Sequence, residues 1–210
     1  MTSETGIGAS VKRKEDARFI TGAGHYTDDI NQPGQLYAVF VRSMYPRAEI
    51  RSIDVSSALA MEGVMAAYTG SDLAADGIGD LPCGWMVKSK DGSDMIQPPH
   101  PPVAVSVVNY VGEPYAMVVA ETLQAARDGA EAVTADFNEL PVVVDLASAH
   151  GANQIHEAAP GNQCYDWELG DREATDAAFA SADHVTSLDI VNNRLIPNAM
   201  EPRAALGMYE

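Results

Sequence analysis

VAVSVVNYVGEPYAMVVAETLQAARDGAEAV, residues 103–133, decides the fold. Two runs rich in β-branched and aromatic residues flank Gly112-Glu113-Pro114, which predicts two strands joined by a tight turn. Thr122 stands where a hydroxyl can cap a helix over 123–133. Leu123, Ala126, Ala130 and Val133 recur at spacings of three and four, giving that helix a face of mostly small side chains that can approach a sheet closely. A further strand, with Phe137 ahead of the apolar run PVVVD (141–145), closes the unit.

Upstream, LYAVFVRS (36–43) and AEIRSIDV (48–55) predict two strands joined by Met44-Tyr45-Pro46-Arg47. In the second, Ile50 and Ile53 lie near one another but out of strict two-residue period. Ser56-Ser57 can cap a short helix over ALAMEG, Gly63 can end it, and VMAAYTG follows as a third strand. Residues 74–102 hold no sustained period, and Gln97-Pro98-Pro99-His100-Pro101-Pro102 excludes a helix or central strand, so a long excursion is expected there. The sum is a domain of the α/β (α+β) class over residues 18–145. The turn-rich residues ahead of Leu36 should run extended, with 1–17 as a separate N-terminal arm.

Beyond it, residues 146–164 suit a linker. Residues 173–182 look helical, with Ala174, Ala177, Ala178 and Phe179 on one face, and strands are expected at 184–191 and 204–209. Because the chain stops at Glu210 just after AALGMY, without turn, cap or polar tail, residues 165–210 are expected to be an incomplete domain.

With 13 Lys+Arg against 30 Asp+Glu, the net charge of −17 repels a phosphate backbone, and Lys12-Arg13-Lys14 is too small a basic cluster to offset it. Nucleic acid is excluded as a partner. No run approaches the roughly 18 apolar residues of a membrane helix, and the first twenty residues lack a signal-peptide core, so no membrane association and a cytoplasmic location are expected. Cys83 and Cys164 are too few for a disulfide framework and match no zinc or iron-sulfur spacing.

No G-x-S-x-G, Walker loop, H-E-x-x-H or complete dinucleotide fingerprint occurs. Gly22-Ala23-Gly24-His25-Tyr26 precedes the first strand instead of following one, which suits a bend. His25, His100, His150, His156 and His184 read as surface residues, since His150 and His156 are six apart and off helical register for shared metal ligation. Glu113 could act as a general base, but a carboxylate in a tight turn more often accepts backbone N–H bonds or an ion pair. Glu201 and Arg203 flank Pro202 and could each anchor a separate neighbour.

The segments RFITGAGHYTDDI (18–30), GQLYAVFVRS (34–43), YVGEPYAMVVAETLQAARDGAEAV (110–133), ELPVVVD (139–145) and NRLIPNAMEPRAALGMYE (193–210) together resemble the beginning of the molybdenum-binding large subunits of the xanthine dehydrogenase / aldehyde oxidase / carbon monoxide dehydrogenase family. Each motif is weak alone, but five in the family's order are specific. The resemblance implies an a/b hammerhead domain at 18–145, and from 165 the start of a molybdopterin-binding domain. Relatives commonly carry a serine-proline-histidine-like run where this chain reads Ser43-Met44-Tyr45-Pro46-Arg47.

The resemblance further implies a parent oxidoreductase that hydroxylates an aldehyde or N-heterocycle, or oxidises carbon monoxide, at molybdenum held by a pterin of the cytosine dinucleotide type. Electrons would leave through partner subunits, a small one with 2Fe-2S clusters and a medium one with FAD. The family's catalytic glutamate and pterin-binding segments have no matching position in this chain. No catalytic, cofactor-binding or metal-ligating residue is therefore assigned, and the chain alone is expected to be an inactive scaffold. The competing expectation is a free-standing, non-redox assembly or binding module, and the coding frame after Glu210 separates the two.

Overall fold

The computed structural model describes residues 6, 7, 9–193, 195–199 and 201–209. They fall into two units, residues 36–186 and the described parts of 1–35 with 187–210. In chain order the elements are α1 (Asp16–Ile20), β1 (Tyr37–Arg42), β2 (Ala48–Asp54), α2 (Ser56–Leu59), β3 (Val64–Thr69), α3 (Gly70–Ala75), β4 (Val107–Val108), β5 (Pro114–Ala120), α4 (Leu123–Ala132), β6 (Thr134–Glu139) and α5 (Arg172–Ser181). Three short 3-10 turns occur at Thr27–Asp29, Ala149–Gly151 and Pro160–Asn162.

Unit 36–186 holds two antiparallel three-stranded sheets, ordered β1-β5-β3 and β4-β2-β6. The central strand β5 is buried at Tyr115, Ala116, Val118 and Ala120, which explains its continuous apolar run. Its register sets Val39 and Ala67 on either side of Val118, in the row facing α4. There the packing is tight: a Cβ built on Gly129 would lie 3.0 Å from both Val118 Cγ1 and Val64 Cγ2. Thr122 caps α4 as expected, its Oγ1 accepting from Ala125 N–H at 3.1 Å.

Ile50 and Ile53 owe their odd spacing to a register shift between Ile50 and Ser52. Ile50 pairs with Phe137 and Ile53 with Ala135, so a bulge at Arg51 brings both isoleucines against the core. That core is one cluster spanning the two sheets, with Ala48, Ala58, Val108, Ala116 and Val118 fully buried. Phe137 of β6 packs against Tyr45 in a tilted arrangement, ring centroids 5.1 Å apart, and meets Tyr115 of β5 edge-on at 5.3 Å, joining the sheets through aromatic rings.

Several expectations need correction. The runs around Gly112 are not a hairpin: β4 is only two residues long and pairs with β2, whereas β5 pairs with β1 and β3. The run 141–145 lies outside β6. Residues 184–191 and the described residues of 204–209 form no strand, and the extended N-terminal arm contains α1. Helix α3 was missed, although Thr69 and Asp72 form a capping box, with Thr69 N–H donating to Asp72 Oδ2 at 2.7 Å.

Candidate functional site

Where β1 ends, the chain turns a corner into β2, and this corner gathers the polar residues singled out in the sequence. Ser43 is buried; its Oγ accepts from Tyr45 N–H at 3.0 Å, closing the Met44-Tyr45 turn locally. Ser43 also exchanges backbone bonds with the β4–β5 connection: its N–H donates to Glu113 O at 2.9 Å and its carbonyl accepts from Gly112 N–H at 2.8 Å. Arg42 Nη1 donates to Gly112 O at 2.8 Å. Gly112 sits at φ +92, a left-handed conformation that removes side-chain residues from contention.

Glu113 is 5% exposed and its carboxylate accepts the N–H of Asn109. Burial pushes its pKa above the ordinary glutamate value; the backbone N–H bonds and the nearby His100 oppose that shift without cancelling it. Glu113 thus has the N–H-accepting role expected of a turn carboxylate, at the junction of three segments.

A second polar cluster surrounds Arg47. Its Nη1 donates to Pro141 O at 3.2 Å and its Nη2 to Ile155 O at 3.0 Å. His156, the next residue, is half-buried, which corrects its reading as a surface histidine; His25, His100, His150 and His184 are exposed. Burial first, and the Arg47 charge second, hold the His156 pKa below the ordinary imidazole value. Sequence reasoning missed Arg47, whose only signal was its place beside the unusual Met44-Tyr45-Pro46 turn.

A third feature is an open cleft of about 250 Å³ between residues 89–96 and 163–166. Lys90 N–H donates to Asp166 O at 2.7 Å, and Ile96 N–H donates to Cys164 O at 2.8 Å. The Lys90 ammonium is paired with Asp166 at 2.7 Å. In the other unit, Glu201 Oε1 accepts Thr27 N–H at 3.0 Å, so Glu201 does anchor a neighbour.

None of these places joins a nucleophile to a base and an oxyanion donor. Among the described residues no group of three or more His, Cys, Asp or Glu is arranged to hold a metal ion, and Cys83 and Cys164 are both free thiols. These residues do not fit a molybdenum or iron-sulfur centre, and no chemical step is assigned through one.

What this architecture resembles is specific. A family model described as "Aldehyde oxidase and xanthine dehydrogenase, a/b hammerhead domain" matches residues 21–141. The carbon monoxide dehydrogenase large chain of Afipia carboxidovorans is 34% identical over 215 residues, covering 93% of this chain and 25% of that protein. The nicotine 6-hydroxylase large subunit of Paenarthrobacter nicotinovorans is 37% identical over 207 residues, covering 97% of this chain and 24% of that protein. A solved Cu,Mo-CO dehydrogenase in its carbon monoxide reduced state superposes with a TM-score of 0.63 at 34% identity, over 85% of this chain and 23% of that one. The chain spans about a quarter of the length of these relatives. It belongs to the aldehyde oxidase and xanthine dehydrogenase family, of which residues 21–141 are the a/b hammerhead domain.

Proposed function

We propose that the chain is the N-terminal scaffold portion of a molybdenum hydroxylase large subunit. The whole protein would be an oxidoreductase acting on an aldehyde, an N-heterocycle or carbon monoxide. The observation that carries this reading lies outside the hammerhead: Leu188, Ile190, Val191, Leu195, Ile196 and Met208 are each at least 76% exposed, in a stretch whose described residues form no strand. Likeness to large subunits covers 93–97% of the chain, so it extends well past the hammerhead at residues 21–141. Six large apolar side chains left in water are what a surface built for further protein would present.

In this reading residues 146–164 connect the hammerhead to the opening of a molybdopterin-binding domain at 165–210. The molybdenum pterin, of the cytosine dinucleotide type, is held by the rest of the subunit. A medium subunit with FAD and a small subunit with 2Fe-2S clusters carry electrons away, in the cytoplasm. An antibody raised against residues 36–141 tests this on the native protein. The expected capture is a chain about four times the 22.3 kDa of this sequence, accompanied by molybdenum and two smaller subunits. A native species of 22.3 kDa without molybdenum, from a coding frame that stops after Glu210, overturns it and leaves the free-standing module.

A further inference from the structure

The two faces of the sheet β1-β5-β3 follow from its register, because residues directly opposite one another in antiparallel strands share a face. Val118 lies between Val39 and Ala67 and meets α4 at Gly129. Ala116 and Val118, with Val41 and Ala67 beside them, belong to the core cluster. The alternate residues make the opposite face. Met117 is paired with Phe40 on one side and Tyr68 on the other, and Val119 with Ala38 and Ala66. None of these six belongs to the core cluster.

This second face is apolar without being buried. Phe40 is 41% and Tyr68 37% exposed, Ala38 is exposed, and Met117, Val119 and Ala66 are half-buried. An antiparallel sheet with one face in water ordinarily alternates apolar with polar, whereas strands apolar on both faces are those covered on both. Here all three strands depart from alternation in the same two rows, so the departure belongs to the surface and not to one strand. The rows differ in size: Phe40, Met117 and Tyr68 form a ridge, and Ala38, Val119 and Ala66 a shallow step beside it. Arg42, whose guanidinium carbon stands 5.8 Å from the Phe40 ring centroid, marks a polar rim.

We propose that this face is the docking surface for the polypeptide that continues beyond Glu210, which seats apolar side chains over Phe40, Met117 and Tyr68. The proposal rests on the reading above, in which this chain is part of a longer subunit; it spans about a quarter of the length of its relatives. Two rows on three strands cover on the order of 200 Å² at ordinary strand spacing and rise, against about 800 Å² per partner in a stable complex. A separate protein would have to offset its lost translational and rotational freedom from that small area. A segment of the same chain does not, because its covalent connection keeps it at high local concentration. A second copy of this chain meets a further obstacle, since each copy carries a net charge of −17.

Hydroxyl-radical footprinting read by mass spectrometry tests this on the 210-residue chain and on the native large subunit in its complex. In the short chain Phe40, Met117 and Tyr68 are expected to be oxidised readily and independently of protein concentration. Tyr115, 8% exposed, reports an intact core and should be oxidised slowly in both proteins. In the native subunit Phe40, Met117 and Tyr68 should be oxidised several-fold more slowly, and should stay so when the smaller subunits are stripped away. Equal oxidation in the short chain and a longer native subunit overturns the proposal and leaves the large-subunit reading intact. Protection that is lost with the smaller subunits assigns the cover to one of them, and protection already present in the short chain assigns it to this chain or to a second copy; each result overturns the proposal. A native chain of only 22.3 kDa removes the large-subunit reading and the proposal together.

Discussion

Glu113 and Gly112 are neighbours whose substitutions should fail for different physical reasons. Burial raises the Glu113 pKa, and a raised carboxyl pKa contributes stability that is present below the unfolded value and lost as pH rises through the folded one. Glu113→Gln keeps an oxygen for the Asn109 N–H and removes the charge, so it should equal or exceed the wild type at neutral pH, with an advantage that shrinks from about pH 7 to about pH 4. Glu113→Ala leaves that N–H unmatched and should lose about 1–3 kcal/mol. Denaturant midpoints across this range check both; a Gln variant weaker than the wild type at neutral pH would show that the ionised form is the one the fold prefers. Gly112, in contrast, has open space around it, since no atom lies within 4 Å of an added Cβ. Its penalty is one of backbone strain at φ +92, and Gly112→Val should destabilise by about 1–3 kcal/mol. An unchanged midpoint would mean that the turn can relax. The turn glycine was legible in the sequence because Gly-Glu-Pro admits few conformations. Arg47 was not, because nothing local announces an arginine whose partners, Pro141 and Ile155, are 94 and 108 residues away.

At the level of elements, what could be read was whatever local periodicity records. Strands β1, β2, β3 and β5 and helix α4 each bury a patterned face. The pairing of β4 with β2 instead of β5 is a long-range choice, made because Ala48 and Val108 share the core between the sheets. The helix face was half legible: Ala126 and Val133 are buried as expected, but Leu123 is 41% exposed and the point of closest approach is Gly129. That approach makes a testable demand. Gly129→Leu gains helix propensity of about 1 kcal/mol, yet must insert four carbons where Val118 and Val64 already leave 3.0 Å. Overpacking of this kind costs about 1–3 kcal/mol or more, so net destabilisation is expected. Arg127→Leu, on the exposed side of the same helix, should stay within about 0.5 kcal/mol of the wild type. Equal stability of the two leucine variants in thermal melts would show that α4 can move off the sheet.

For the whole molecule, the sequence could not distinguish a strand from a segment that has only strand composition. Residues 184–191 and 204–209 contain β-formers, but a strand exists only where another accepts its hydrogen bonds, and among the described residues none does so there. Ordering a residue costs about 1–2 kcal/mol of backbone entropy, normally offset by burial and pairing. Strands β1, β5 and β3 have both, around Ala116, Val118 and Ala120, each fully buried. From 183 to 209 the described residues are all exposed, Leu188 and Ile190 at 77% each. Hydrogen exchange of this chain by itself should therefore find the amides of 183–209 unprotected while those of β5 exchange slowest. Residues 164–166 should fall between, because Cys164 and Asp166 are bonded to the 89–96 segment. If 183–209 instead exchanged as slowly as β5, that stretch would have to find its pairing within these 210 residues, and its exposed apolar side chains would no longer argue for a further protein surface.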